Sequence, residues 1–149
     1  VADLIHWLTG ARARTVYAEI DNLIGHAAFD DCGHLFIRYD NGLFATIDTS
    51  WSRPKAFPTW GDVTLEVVAE KGSVCCDLFA QHHMLWSDAT GRGDELGWGD
   101  DIDLLMVQAF VNAVEAGAPV PVTGEDGLAA ARVALAAYRS RDKAEAAVV

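Results

Sequence analysis

Basic side chains are scarce in this sequence: 11 Lys and Arg stand against 22 Asp and Glu, for a net charge of −11. Such a surface disfavours phosphate backbones and anionic lipid headgroups, so neither nucleic acid nor a membrane is an expected partner. Long apolar runs are missing as well, and none approaches the ~20 residues needed to span a bilayer. No basic stretch precedes an apolar one at the N-terminus, which argues against a signal peptide. Cysteine is limited to Cys32, Cys75 and Cys76. An odd number with an adjacent pair is a poor disulfide framework and points to a reducing cytoplasm. Nucleophile signatures are absent too: there is no Gly-x-Ser-x-Gly, and no Cys or Ser has a His at a recognisable family spacing. What is abundant is hydrophobic residues, 51% of 149. That excludes a disordered tail and suffices for one domain with a buried core.

Val1, Leu4, Ile5 and Leu8 repeat at helical spacing, and Gly10 falls where a C-terminal cap belongs. No N-cap precedes Val1, so the helix is expected to have lost its natural start. A strand over residues 14–21 alternates Val16, Ala18 and Ile20 with Thr15, Tyr17 and Glu19. Asn41-Gly42 between two apolar runs predicts a tight hairpin. A two-residue turn there pairs Arg38 with Ala45, Phe36 with Ile47 and His34 with Thr49. It leaves Leu35, Ile37 and Tyr39 with Phe44, Thr46 and Asp48 on the other face. Both faces are then largely apolar, and something is expected to cover each.

A second hairpin is predicted between residues 63–69 and 73–79, with Gly72 in its turn, and another strand over 81–87. Residues 89–99 read as a Gly-rich surface loop. Asp100 with Asp103 resembles a capping box for a helix whose stripe of Ile102, Leu105, Met106, Ala109 and Ala113, widened by Phe110 and Val114, predicts deep burial. Thr123 with Asp126 caps a last helix in which Leu128, Ala131, Leu135 and Tyr138 recur. The order helix, strands, helices gives an α+β fold, an open and largely antiparallel sheet with helices packed on one face.

Among candidate chemistries, Gly91-Arg92-Gly93-Asp94-Glu95-Leu96-Gly97 fails as a dinucleotide fingerprint. Its third Gly is one residue late, no βαβ unit surrounds it, and its acids repel a pyrophosphate. His82-His83 and Cys75-Cys76 fail as metal sites, because adjacent strand residues point to opposite faces. Glu66 and Asp77 are a possible carboxylate pair across the second hairpin. Trp51-Ser52-Arg53-Pro54 ends a strand in an aromatic, a hydroxyl and a guanidinium, a set suited to a polyhydroxylated or anionic ligand. Trp98 is a further candidate. A surface loop with one packed Trp is the alternative for residues 51–54.

Asp3-Leu4-Ile5-His6-Trp7-Leu8-Thr9-Gly10 resembles the start of the C-terminal domain in the glucose–fructose oxidoreductase / inositol dehydrogenase (Gfo/Idh/MocA) family, whose D-x-x-x-H-x-x-D-L motif runs on to an aromatic-Leu-x-Gly close. Three further blocks match in order: Tyr39-Asp40-Asn41-Gly42 with Ile47 and Ser50-Trp51; residues 67–73, where Ala69 replaces a Gly; and residues 110–117 with 123–140. The resemblance covers nearly the whole chain. It implies a domain similar to the C-terminal fold of glyceraldehyde-3-phosphate dehydrogenase, occupying residues 1–149, with the cofactor-binding Rossmann domain absent from this chain. It also implies that Asp3 is the only motif residue present, so the chain carries no catalytic residue. NAD or NADP would serve the full-length enzyme and not this fragment, which is expected to bind no cofactor and no metal. The implied substrate is a sugar or polyol, which the candidates Trp51 and Arg53, and more weakly Trp98, are expected to border; the implied partner is a second copy of the chain docked on the sheet face. The competing readings are a non-enzymatic binding or assembly module and a regulatory family member.

Overall fold

Alternation of Val16, Ala18 and Ile20 with polar neighbours builds β1 (Ala13–Asp21), which pairs antiparallel with β2 (Cys32–Tyr39) so that Val16 faces Ile37 and Ala18 faces Leu35. β2 pairs in turn with β3 (Phe44–Asp48), and a two-residue β8 (Ala147–Val148) closes the other side, in the order β3-β2-β1-β8. The computed structural model describes residues 1–25, 28–51, 53–57, 61–79, 82–97 and 99–149, the backbone alone at 82–85, 87 and 94–97. It divides into two compact units, Val1–Lys55 with Val122–Val149, and Ala56–Pro121.

In the first unit the predicted hairpin forms, with a different register. The loop is three residues, not two. Tyr39 N–H donates to Leu43 O at 2.9 Å, Gly42 N–H donates to Tyr39 O at 3.3 Å, and Gly42 sits at φ 88°. That left-handed residue makes a bulged turn, which favours Gly because it has no Cβ. Partners therefore shift by one: Leu35 faces Ile47, Ile37 faces Ala45 and Arg38 faces Phe44. A slip of one residue moves side chains to the other face. Ile47 joins Leu35, Ile37 and Tyr39 in the core, while Phe44 turns outward. The sheet consequently has one apolar face and one mixed face of Tyr17, Glu19, His34, Phe36, Arg38 and Phe44. It does not have the two apolar faces expected.

α1 (Ala2–Thr9) and α3 (Gly124–Lys143) cover the apolar face. Gly10, at φ 67°, ends α1 by donating its N–H to His6 O. α3 begins at the expected capping box: Thr123 Oγ1 accepts from Asp126 N, and Asp126 Oδ2 accepts from Thr123 N. Its inward face is not the predicted one. Val133, Ala136, Ala137 and Ser140 are buried, whereas Leu128, Leu135 and Tyr138 are exposed. Small side chains let the helix axis approach the sheet, close enough for Ser140 Oγ to accept the Ala18 N–H at 3.0 Å. The core is Ile5, Ala11, Val16, Ala18, Leu35, Ile37, Tyr39, Ile47, Val133, Ala136 and Ala137.

Among its described residues the second unit contains two hairpins and a helix. β4 (Thr64–Ala69) pairs with β5 (Gly72–Asp77), and β6 (His82–Ser87) pairs with β7 (Arg92–Gly97). Gly72 opens β5 instead of occupying the turn. Glu66 faces Cys75 and Asp77 faces Thr64, so the two carboxylates are diagonal neighbours and not an opposed pair. Residues expected in a Gly-rich loop form β7, because pairing with β6 overrides their weak strand propensity. α2 (Ile102–Ala116) starts one residue later than expected. Asp101 caps it by accepting Leu104 N–H at 2.9 Å, in place of an Asp100–Asp103 box. Of its residues only Ala113 is buried, and Ile102, Leu105, Met106 and Phe110 are exposed. Its apolar pattern predicted burial, but the other elements of its unit are two narrow hairpins. Among the described residues no helix is long and apolar enough to cross a membrane.

Candidate functional site

Loop residues gather where β1 leaves the sheet, β2 enters it and β3 ends. Asp31, just ahead of β2, is buried, and its carboxylate accepts the N–H groups of Leu23 and Ile24, both at 2.9 Å, and of Gly25. Those donors, Gly25 first, hold its pKa down at about 2. The Asp31 backbone accepts Trp51 N–H at 3.3 Å, which ties the end of β3 to the same loop.

On this base lies an aromatic platform. Trp51 stacks on Phe29 with ring centroids 5.6 Å apart and planes inclined by 24°. The Trp51 indole Nε1–H donates to Asp30 O at 3.1 Å. Both rings are more than half exposed, Trp51 at 61%. Next to them the Tyr138 hydroxyl donates to Asp30 Oδ1 at 2.7 Å, and that bond to a carboxylate raises the Tyr138 pKa. The Arg141 guanidinium lies 5.1 Å from the Tyr138 ring centre. Arg53 N–H donates to Trp51 O at 2.9 Å. Asp48 accepts Ser50 N–H at 2.8 Å, and this bond first, with the charges of His34 and Arg53 further down, lowers its pKa.

Trp51 and Arg53 thus follow β3 at one sheet end, two residues apart and joined by a backbone hydrogen bond. A flat exposed ring beside the Asp30–Tyr138 pair can stack on the C–H face of a sugar or polyol. Sequence reasoning missed Phe29, Asp30, Asp31 and Tyr138. The signal available was an Asp-Asp pair closing a ten-residue connection between two strands. Trp98 lies outside the described residues.

Asp3 is elsewhere. It lines a small cavity with His6, Arg12, Tyr39 and Asp126, beside the opposite end of β1. The nine residues of β1 separate the two ends by roughly 25 Å, so a small polyol ring cannot touch Asp3 and Trp51 together. Cys75 and Cys76 are exposed and free, on opposite faces of β5. Among the described residues no His, Cys, Asp and Glu cluster could hold a metal ion. Nor do these residues suit a nicotinamide dinucleotide. The described elements include no βαβ unit, Gly91–Gly97 belongs to a hairpin, and the helix that follows opens on Asp100 and Asp101.

Among known proteins, the model of the GFO/IDH/MocA C-terminal domain family matches residues 1–75. A myo-inositol 2-dehydrogenase of Thermotoga maritima is 26% identical over 151 residues, which take in 95% of this chain and 44% of that protein. GenD2 from gentamicin A biosynthesis, solved in complex with NAD, superposes with a TM-score of 0.80 at 23% identity, over 99% of this chain and 45% of that one. The myo-inositol dehydrogenase of Lactobacillus casei, solved with NAD(H) and myo-inositol, gives 0.72 at 20% identity over the same shares. These similarities between structures establish the α+β fold, and the chain spans less than half the length of the relatives it matches. With half of its residues matched by the family's own model, the chain belongs to the GFO/IDH/MocA C-terminal domain family.

Proposed function

We propose that the full-length protein is an NAD(P)-dependent oxidoreductase acting on a sugar, polyol or related hydroxy compound. This chain is its substrate-side and oligomerisation domain. The family match carries the reading, and the inositol dehydrogenases among the relatives support the substrate class. Cofactor binding and the catalytic residues belong to a Rossmann domain and a motif outside this chain, so the chain alone is inert and works in the cytoplasm as part of the whole enzyme. Trp51 and Arg53 form one wall of the substrate pocket, with Trp98 as a further candidate. The test is nicotinamide reduction by the full-length protein with a panel of polyols and sugars. Arg53→Ala is expected to lower kcat/KM by about 10- to 100-fold, the loss of a charged hydrogen bond worth ~1.5–3 kcal/mol. Unchanged kinetics would leave Arg53 a surface residue and end its candidacy. A full-length protein that turns over no hydroxy compound with either nucleotide would favour a non-enzymatic module.

The mixed sheet face is the proposed contact between copies. Tyr17 is 40% exposed and Phe44 66% exposed on it, and Phe36 stacks against Phe44 at 5.6 Å. Arg38 and Glu19 on the same face supply charges of both signs. A two-fold arrangement covers this patch on both copies at once. Sedimentation across a dilution series is expected to show a dimer that Phe44→Glu weakens. A wild-type protein that stays monomeric at high concentration contradicts the proposal.

A further inference from the structure

Asp30 is held from two directions. Its backbone carbonyl accepts the Trp51 indole Nε1–H at 3.1 Å, and its carboxylate accepts the Tyr138 hydroxyl at 2.7 Å. The two donors lie far apart in sequence, one just beyond β3 and the other on α3. Phe29, which stacks on Trp51, has its own carbonyl bonded by Asn22 Nδ2–H at 2.7 Å. Asp31 follows, with its carboxylate on three backbone donors. Residues 29–31 are therefore fastened at each position, and at Asp30 the fastening reaches across to a helix. Tyr138 has a second contact of its own, the Arg141 guanidinium over its ring, about one turn further along α3.

We infer that Tyr138 and Asp30 are positioning residues for Trp51, holding its indole in the plane on which a sugar or polyol ring stacks. The inference rests on the reading of Trp51 as a wall of the substrate pocket, and adds how that wall is fixed. An indole 61% exposed turns about its two side-chain torsions unless something restrains it. Stacking on Phe29 limits the tilt of the ring but leaves it free to slide in its own plane. The Nε1–H bond removes that freedom, provided its acceptor is itself fixed. The Tyr138 bond supplies this, because it anchors the same residue whose carbonyl takes the indole proton. A ring ordered in advance spares the ligand the cost of ordering it, which for one such side chain amounts to about 2- to 10-fold in affinity. Neither Tyr138 nor Asp30 has to touch the ligand, since the effect passes through Trp51.

Two measurements on the full-length protein test it. With isotope-labelled tryptophan, the Trp51 indole N–H resonance is identified by its loss in Trp51→Phe. Tyr138→Phe is expected to shift that resonance and to increase the fast motion of the ring. In kinetics with the nucleotide and the polyol or sugar turned over fastest, Tyr138→Phe is expected to raise KM by about 3- to 10-fold with kcat within about twofold, the pattern of lost uniform binding. Asp30→Ala is expected to match it. Asp30→Asn, which keeps an acceptor oxygen for the Tyr138 hydroxyl, is expected to return KM close to wild type. In a Trp51→Ala background, Tyr138→Phe is expected to change nothing further. An unchanged indole resonance overturns the inference, as does a Tyr138→Phe effect that persists in full once Trp51 is alanine. A raised KM in Trp51→Ala beside a wild-type KM in Tyr138→Phe overturns the inference alone and leaves the pocket wall standing. If Trp51→Ala leaves KM unchanged, or no hydroxy compound is turned over, the pocket-wall reading fails and this inference falls with it.

Discussion

Ile37→Ala is expected to destabilise the protein by about 2–5 kcal/mol, and Phe44→Ala by less than about 1 kcal/mol. Ile37 is fully buried in the central pair of strands, between Val16 of β1 and Ala45 of β3. Truncating it removes methyl groups from contact and leaves a cavity that a packed sheet cannot collapse. Phe44, 66% exposed, projects from the other face. The contrast decides the hairpin register. In a two-residue turn the two residues share a face, and both truncations would be costly. Urea unfolding, run dilute enough to exclude self-association, measures both. Equal losses would contradict the bulged three-residue loop.

Asp31→Ala is the second large effect, expected to lower Tm by about 5 °C or more, since three backbone N–H groups lose their acceptor together. Its pH dependence follows from the direction of the shift. The carboxyl titrates at about 2 in the fold, against an ordinary 3.8, so the folded state favours the ionised form. The stabilisation is complete above about pH 4 and disappears as the pH falls through 2. Asp31→Asn keeps the shape and one acceptor oxygen but removes the titration. Its Tm is expected to fall less steeply than wild type below pH 4. Parallel acid limbs for the two proteins would place the carboxylate outside the N–H cluster. Because Trp51 N–H is bonded to the Asp31 carbonyl, the alanine variant is also expected to loosen the Phe29–Trp51 stack.

The hairpin at Asn41-Gly42 was legible because that dipeptide between two apolar runs has few other uses. Its register was not, since the same pair serves both a two-residue turn and a bulged one, and only the placement of Ile47 beside Leu35 distinguishes them. In α3 the large residues Leu128, Leu135 and Tyr138 carry the stronger apolar signal, yet closeness to the sheet selects Ala136, Ala137 and Ser140. β7 was hidden by its Gly and acidic residues, which carry no strand signal until β6 lies alongside. Trp51 and Arg53 could be read from the end of a strand. Asp31 could not, because a loop aspartate that binds three N–H groups looks the same in sequence as one facing water.

Ser140 sits at a vulnerable place in the fold. β8 pairs with β1 only at Thr15 and Val16, so farther along the strand the Ala18 N–H points beyond the reach of that ladder. Its hydrogen bond is completed by Ser140 Oγ, which in turn donates to Glu145 O at 2.6 Å. Strand edges with open donors are where chains add to one another and aggregate. A single hydroxyl from the covering helix thus acts as a blunt end-stop, denying a foreign strand the middle of β1 without a further strand of the chain's own.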